Sequence, residues 1–188
     1  MNFKKLKISG LIVVEPDVFG DERGFFLESY NREKFAKGGI SVNFVQDNHS
    51  RSSRGVLRGL HFQKASFAQD KLVRVVRGEV FDVAVDLRPG SPTLGQWEAV
   101  ILSEENKKMF FIPQGFAHGF LVLSPLADFE YKVSNFYSPQ DEMGIIFNDP
   151  EINISWPLAK EELILSAKDK NWPLFSQIKD NLKKIWGK

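Results

Sequence analysis

At 188 residues the chain can bury a real core in one domain, but its 25 Lys+Arg against 24 Asp+Glu leave a net charge of only +1, which provides no field for nucleic acid or an anionic membrane. The absence of cysteine excludes a disulfide framework, a thiolate metal site and a thiol nucleophile. No stretch approaches the ~20 apolar residues of a membrane span, and the apolar run from Leu11 to Val14 is too short for a signal sequence, so the expected compartment is the cytoplasm.

In chain order, residues 6 to 14 read as a strand ending at Glu15-Pro16, and residues 19 to 30 as a turn followed by another strand in which Phe26 and Glu28 share a face. Arg23 sits at that turn, where a guanidinium reads either as a bidentate phosphate clamp or as a solvated turn residue. Asn31 can cap a short helix through Phe35, stopped by Gly38-Gly39. A strand from Val42 to Ser50 follows; Gln46, Asn48 and Ser50 share one polar face, which suggests a cavity wall, the alternative being an exposed sheet face.

Residues 58 to 82 carry the chemistry. His61 sits in an apolar run beside Leu60 and Phe62, and Lys71 opens the β-branched run Leu72 to Val76. Alternation puts Gly59, His61 and Gln63 on one face of the first run, Arg58 on the other, and Lys71, Val73 and Val75 on one face of the second. A neutral imidazole with a pKa near ~6.5 can take a proton, and an ammonium can stabilise the negative charge left behind. The same two residues also read as a hydrogen-bonded core histidine and a solvated edge lysine. Phe81, Val83, Val85 and Leu87 then alternate as a clear strand face, and further strands follow at Gln96 to Leu102, Lys108 to Ile112, Phe116 to Leu123 and Asp128 to Phe136. Strands recurring every ~8 to 12 residues between Gly/Pro turns predict a β-sandwich or barrel. After Trp156-Pro157 the pattern becomes charged and helical: Phe175, Ile178, Leu182, Ile185 and Trp186 can form one apolar face, with Ser176 as a cap, packed outside the sandwich. The expected organisation is a single unit over residues 1–188, with its core over about 6–157 and a helical or irregular segment over 158–188.

Seven pieces stand in order nearly end to end: Phe19-Gly-Asp-Glu-Arg-Gly-Phe-Phe-Leu-Glu28, Gln46-Asp-Asn-His-Ser50, Leu57-Arg-Gly-Leu-His-Phe-Gln63, Lys71-Leu-Val-Arg74, Asp82-Val-Ala-Val-Asp-Leu-Arg88, Pro113-Gln-Gly-Phe-Ala-His-Gly-Phe120, and Asn148-Asp-Pro150 with Trp156-Pro157. Together they resemble the dTDP-4-dehydrorhamnose 3,5-epimerases, a metal-free branch of the cupin-like jelly rolls. The resemblance implies an all-β jelly roll with short peripheral helices and a cofactor-independent isomerase. It would convert dTDP-4-dehydro-6-deoxy-D-glucose to dTDP-4-dehydro-L-rhamnose, on the route to dTDP-L-rhamnose. Removing a proton beside a ketone requires a base, a group that stabilises the enolate and an acid for the opposite face. By position the resemblance makes His61 the base, Asp169 its carboxylate partner, Tyr131 the acid and Lys71 the cation at the enolate oxygen. It assigns Arg23, Arg58 and Lys168 to the charged and polar groups of the nucleotide-sugar, and Gln46, Asp47, Asn48 and His118 to the lining. Phe19, Phe26 and Glu28 would hold the thymidine, with Tyr137 stacking on it and Glu142 close by. It also implies a homodimer in which the N-terminal segment can reach the neighbouring subunit, and no partner among nucleic acids or membranes. No metal is expected: His61 is followed by Phe62 and Gln63 rather than a second histidine two residues on, and His49 and His118 are its only companions in the chain. The alternatives are an epimerase or ketoisomerase acting at one centre of the same sugar, and a sugar-nucleotide-binding module without catalysis.

Overall fold

In the computed structural model, which describes residues 1–187, two antiparallel sheets face each other. One has the order β1 (Asn2–Lys5), β2 (Ile12–Glu15), β10 (Met109–Ile112), β7 (Lys71–Arg77), β12 (Leu126–Val133), β5 (Gln46–Ser53). The other has the order β13 (Glu142–Gly144), β6 (Leu57–Gln63), β11 (Phe116–Val122), β8 (Glu79–Asp86), β9 (Trp97–Ser103). A separate hairpin joins β3 (Val18–Asp21) to β4 (Gly24–Leu27), pairing Phe19 with Phe26. This is the β-sandwich that the strand spacing predicts, in the all-β jelly-roll form that the resemblance implies.

Side chains from both sheets fill the interior: Val73, Val75, Phe110, Ile112 and Phe129 from the first meet Val80, Ala84, Phe116, Phe120 and Val122 from the second. The outward face of the five-stranded sheet is apolar too, and Leu60, Phe62, Val83, Val85 and Ala117 are covered by the C-terminal segment through Phe175, Ile178, Leu182, Ile185 and Trp186. Burying both faces explains why β8 carries Phe81, Val83 and Val85 on one side while its inward residues, Val80 and Ala84, are also apolar. The polar alternates of β8, Asp82 and Asp86, therefore lie inside the protein and not in solvent.

Local signals held in part. The first helix, α1 (Arg32–Lys37), starts where Asn31 Oδ1 accepts the backbone N–H groups of Glu33 and Lys34 and ends at Gly38. The tail is two single turns, α2 (Phe175–Ile178) and α3 (Leu182–Ile185), and its cap is at Leu174 rather than Ser176: the Leu174 N–H donates to the Gln177 side chain. The strand expected from Val42 pairs only from Gln46, and of the one expected over 6 to 14 only the end from Ile12 is strand (β2): residues 6 to 11 form a turn with Gly10 at φ +99°, and β1 lies ahead of it at Asn2–Lys5.

Strict alternation fails in β6, with consequences for the site. His118 lies across from His61, but Phe120 lies across from Arg58, so three steps along β6 match two along β11. The extra residue is a bulge, and it turns Arg58 to the same face as His61. Gly59 makes this geometry attainable, having φ +133° and a position where an added Cβ would stand 2.5 Å from the Gly119 Cα.

Candidate active site

His61 is presented from the middle of β6 between His118 of β11 and Gly144 of β13. Glycine at 144 is required by packing, since an added Cβ would stand 2.7 Å from the Trp172 ring. That indole sits edge-on to the His61 imidazole, with ring centroids 5.9 Å apart. The same turn after Ser166 carries Asp169, which is 3% exposed and in direct ion-pair contact with His61 Nε2. Asp169 also accepts from Ser166 Oγ at 2.8 Å and Trp172 Nε1 at 3.3 Å. Against the cost of burial, these three partners, His61 foremost, hold its carboxyl below the usual range. An ionised Asp169 on Nε2 fixes the proton there and leaves Nδ1 with a free lone pair. Nδ1 faces the interior, 3.8 Å from Glu142 Oε1.

Glu142 is held in turn by Tyr137, whose hydroxyl donates at 2.5 Å, and by the ammonium of Lys168. The Tyr137 phenol is pushed up to about 12 by this carboxylate. Lys168 also lies over the Trp172 ring, 5.4 Å from its centroid. From the facing sheet come Lys71, at the start of β7 and on the same face as Val73, and Tyr131, across β12 from Asn48 and Val73. Burial pulls the Lys71 ammonium down to about 8, although Asp82 and Glu142 oppose that shift. Burial raises the Tyr131 phenol, partly offset by the Arg58 guanidinium, so Tyr131 carries its proton at neutral pH. Arg58 Nε donates to Ser52 Oγ at 3.1 Å.

This is a base with a fixed tautomer on one sheet, with an ammonium and a protonated phenol on the other. It can remove a proton beside a carbonyl, hold the enolate charge and supply a second proton from elsewhere.

The family model for dTDP-4-dehydrorhamnose 3,5-epimerase matches residues 5–177. The chain belongs to that family. It is 56% identical over 171 residues to the dTDP-4-dehydrorhamnose 3,5-epimerase of Escherichia coli K12, covering 90% of this chain and 92% of that protein. Among solved structures it is similar to the dTDP-6-deoxy-D-glucose-3,5-epimerase RmlC of Legionella pneumophila, in complex with dTDP-4-keto-L-rhamnose, with 52% identity, a TM-score of 0.92 and 96% of each chain covered. A more distant neighbour is ChmJ, a 3′-monoepimerase from Streptomyces bikiniensis in complex with dTDP-quinovose, with 30% identity, a TM-score of 0.86 and coverage of 97% of this chain and 98% of that one.

Within the epimerase family frame, the residues singled out from the sequence fall into three groups. His61, Asp169, Glu142, Tyr137 and Lys168 are joined by the contacts above; His118 lies across from His61 on β11, Arg58 shares the His61 face of β6, and Lys71 and Tyr131 face inward from the other sheet. Gln46 and Asn48 stand beside them on the inward face of β5, their amides 2.8 Å apart, and Gln46 Oε1 accepts from the Tyr137 N–H at 3.3 Å. Asp47 is on the other face of β5, where it pairs with Lys132 at 2.9 Å, so alternation carries it away from the cluster. Phe19, Arg23, Phe26 and Glu28 stand apart as well. Phe19 and Phe26 are exposed on the hairpin, Arg23 is paired with Asp21 on a side chain 84% exposed, and Glu28 is paired with Lys34 at 2.9 Å. Among the described residues, none of their hydrogen bonds reaches the His61 cluster.

Sequence reasoning missed Ser166 and Trp172, which orient Asp169, and Asp82, which holds His118. For Asp82 a sign was present: an acidic residue at an inward position of a strand whose other face is already fully apolar.

Proposed function

We propose that this chain catalyses the double inversion of dTDP-4-dehydro-6-deoxy-D-glucose at C3 and C5 to dTDP-4-dehydro-L-rhamnose, without a cofactor, in the synthesis of dTDP-L-rhamnose. The observation that carries the reading is the His61–Asp169 pair, with Nδ1 on the side of Glu142, the carboxylate that also acts on Lys71 and Tyr131 of the facing sheet. Nδ1 takes the proton from a carbon beside the C4 ketone, and Asp169 stabilises the imidazolium that forms. The electron pair moves onto the ketone oxygen, where the Lys71 ammonium meets it. Tyr131 then returns a proton to the opposite face. The Tyr131 phenolate recovers its proton, and His61 loses the one it took, through solvent, so the sugar gains and loses one proton at each centre.

The nucleotide falls to the cations and aromatics. Arg58 and Lys168 lie within the cluster, and Tyr137 offers an exposed ring for the thymine. Phe19, Arg23, Phe26 and Glu28 fulfil their assigned role in a homodimer, where the hairpin of one subunit reaches the site of the other. Three exposed phenylalanines on that hairpin, Phe19, Phe25 and Phe26, support this arrangement. The proposed compartment is the cytoplasm; among the described residues no helix is long and apolar enough to cross a membrane.

The deciding experiment is proton NMR with dTDP-4-dehydro-6-deoxy-D-glucose in deuterium oxide, with chelator present, coupled to reduction. Deuterium at both C3 and C5, with dTDP-rhamnose formed, is the expected result, and His61→Asn should abolish it. Deuterium at C3 alone would move the chain to the monoepimerase activity of its ChmJ neighbour. Binding of dTDP without any exchange would reduce it to a binding module.

A further inference from the structure

Among the described residues five aspartates are buried, and they are satisfied in different ways. Asp128 pairs with Arg51, and Asp169 with His61. Asp86 accepts from the Arg88 guanidinium and from the hydroxyls of Ser91 and Thr93. Asp149 accepts the backbone N–H groups of Glu151, Ile152 and Phe175. Both tie loops to the fold. Asp82 is 0% exposed, yet its hydrogen-bond partner among the described residues is the His118 ring alone, with both carboxylate oxygens 3.0 Å from Nε2. Burial pushes this carboxyl up, against the pull of His118 and Lys71, so a carboxylate here needs a cation to balance it.

Such a cation faces it. Asp82 shares the inward side of β8 with Val80 and Ala84, and Lys71 shares the inward side of β7 with Val73 and Val75, so the two look at each other across the interior. Lys71 has no ion-pair partner of its own among the described residues. The other charged or titratable groups facing this interior are His118, Glu142, His61, Tyr131 and Arg58. Of these Glu142 acts on Lys71 and is committed to Lys168 and Tyr137, whereas His61 is committed to Asp169.

We propose that Asp82 is a positioning residue for the reaction: it grips the His118 ring by Nε2, and it is the buried counter-charge against which Lys71 stands as an ammonium. An enolate-stabilising lysine must be charged when the proton leaves carbon, and a wholly apolar surrounding would discharge it. Asp82 supplies the opposing charge across the interior, with both of its oxygens held on His118 Nε2. The role in turnover rests on the epimerase reading, whereas the charge relation does not.

The test is a pH titration of the enzyme labelled with carbon-13 at lysine Cε, the Lys71 signal being assigned by its loss in Lys71→Met, in wild type and in Asp82→Asn. The Lys71 midpoint, near 8 in wild type, should fall by one pH unit or more in D82N, a tenfold loss of proton affinity. The alkaline limb of kcat should move down with it, on top of any uniform loss. A Lys71 midpoint unmoved in D82N, or a kcat that drops equally at all pH, would overturn the proposal. Should D82N fail to fold, the wild type carries the test: the side-chain carboxyl signal of Asp82 must step at the Lys71 midpoint, and a flat signal there overturns it. Absence of turnover in the wild type would sink the epimerase reading but leave the titration arm intact.

Discussion

Replacing Lys71 by methionine should make the protein more stable and nearly inactive at once. The two side chains have similar length and apolar stems, so the change removes mainly the ammonium. In the folded protein burial lowers this group from 10.5 to about 8, a balance that already contains the attraction of Asp82 and Glu142. A lysine whose folded pKa lies below its unfolded one destabilises the protein wherever it is charged. The penalty is fully present below the folded pKa and disappears as pH rises through the unfolded one. At 1.36 kcal/mol per unit the full shift corresponds to roughly 3 kcal/mol at pH 7, and the partial solvent access of the side chain sets the expected gain at ~1.5–3 kcal/mol. By pH 9.5 wild-type Lys71 is mostly neutral when folded, and the gain should shrink to about half. Urea unfolding of both proteins at the two pH values reads this directly, while deuterium exchange into the sugar should fall by about 10²-fold or more. A K71M protein less stable than wild type at pH 7, or equally stabilised at both pH values, would refute the account of Lys71 as a cation held against its desolvation.

Asp169→Asn should lower kcat by about 10²–10⁴-fold with little change in dTDP affinity, because an amide neither stabilises the imidazolium nor fixes the proton on Nε2; isothermal titration and the exchange assay separate the two. Tyr131→Phe removes the second proton source but leaves the base, so deuterium should still wash in at the reacting carbons while inversion falls by about 10²-fold, measured as exchange against rhamnose formed. Asp149→Ala strips three backbone N–H groups of their shared acceptor beneath the C-terminal turns and should destabilise by ~2–4 kcal/mol, a fall in Tm of roughly 5–15 °C at this chain length, read by calorimetry. Asp128, held at about 2 by Arg51 and His49, contributes stability present above the unfolded carboxyl pKa and lost as pH falls through the folded one; Asp128→Asn should therefore flatten acid unfolding between about pH 4 and pH 2.

How far the sequence discloses this site depends on whether a residue's direction is set by its own strand. The alternation of β7 and β5 needs no outside information, so Lys71 with Val73 and Gln46 with Asn48 are correctly faced from their neighbours alone. The same rule turns Asp47 outward, against the lining role that the resemblance gives it. Arg58 is the opposite case. Its direction is decided by a bulge that exists because Gly59 and Gly119 let two backbones approach, and nothing short of the β6–β11 register reveals it. Asp169 is harder still. Its partnership with His61 spans 108 residues and depends on Ser166, Trp172 and a bare Gly144 wall, none of which carries a periodic signal.

Asp82 was hidden for a different reason. A strand with an unbroken apolar face invites the assumption that its other face is wet, and in β8 that assumption fails because the C-terminal segment covers one side and the opposing sheet the other. Once both faces are dry, an aspartate at an inward position has to be matched by charge from the facing sheet, and Lys71 is the cation the topology puts there. The expense of enclosing both groups is hard to justify as stabilisation, since two apolar residues would fill the space at lower cost. It is understandable if the ammonium has to wait, charged and unpaired, for an oxygen that becomes negative only during the reaction.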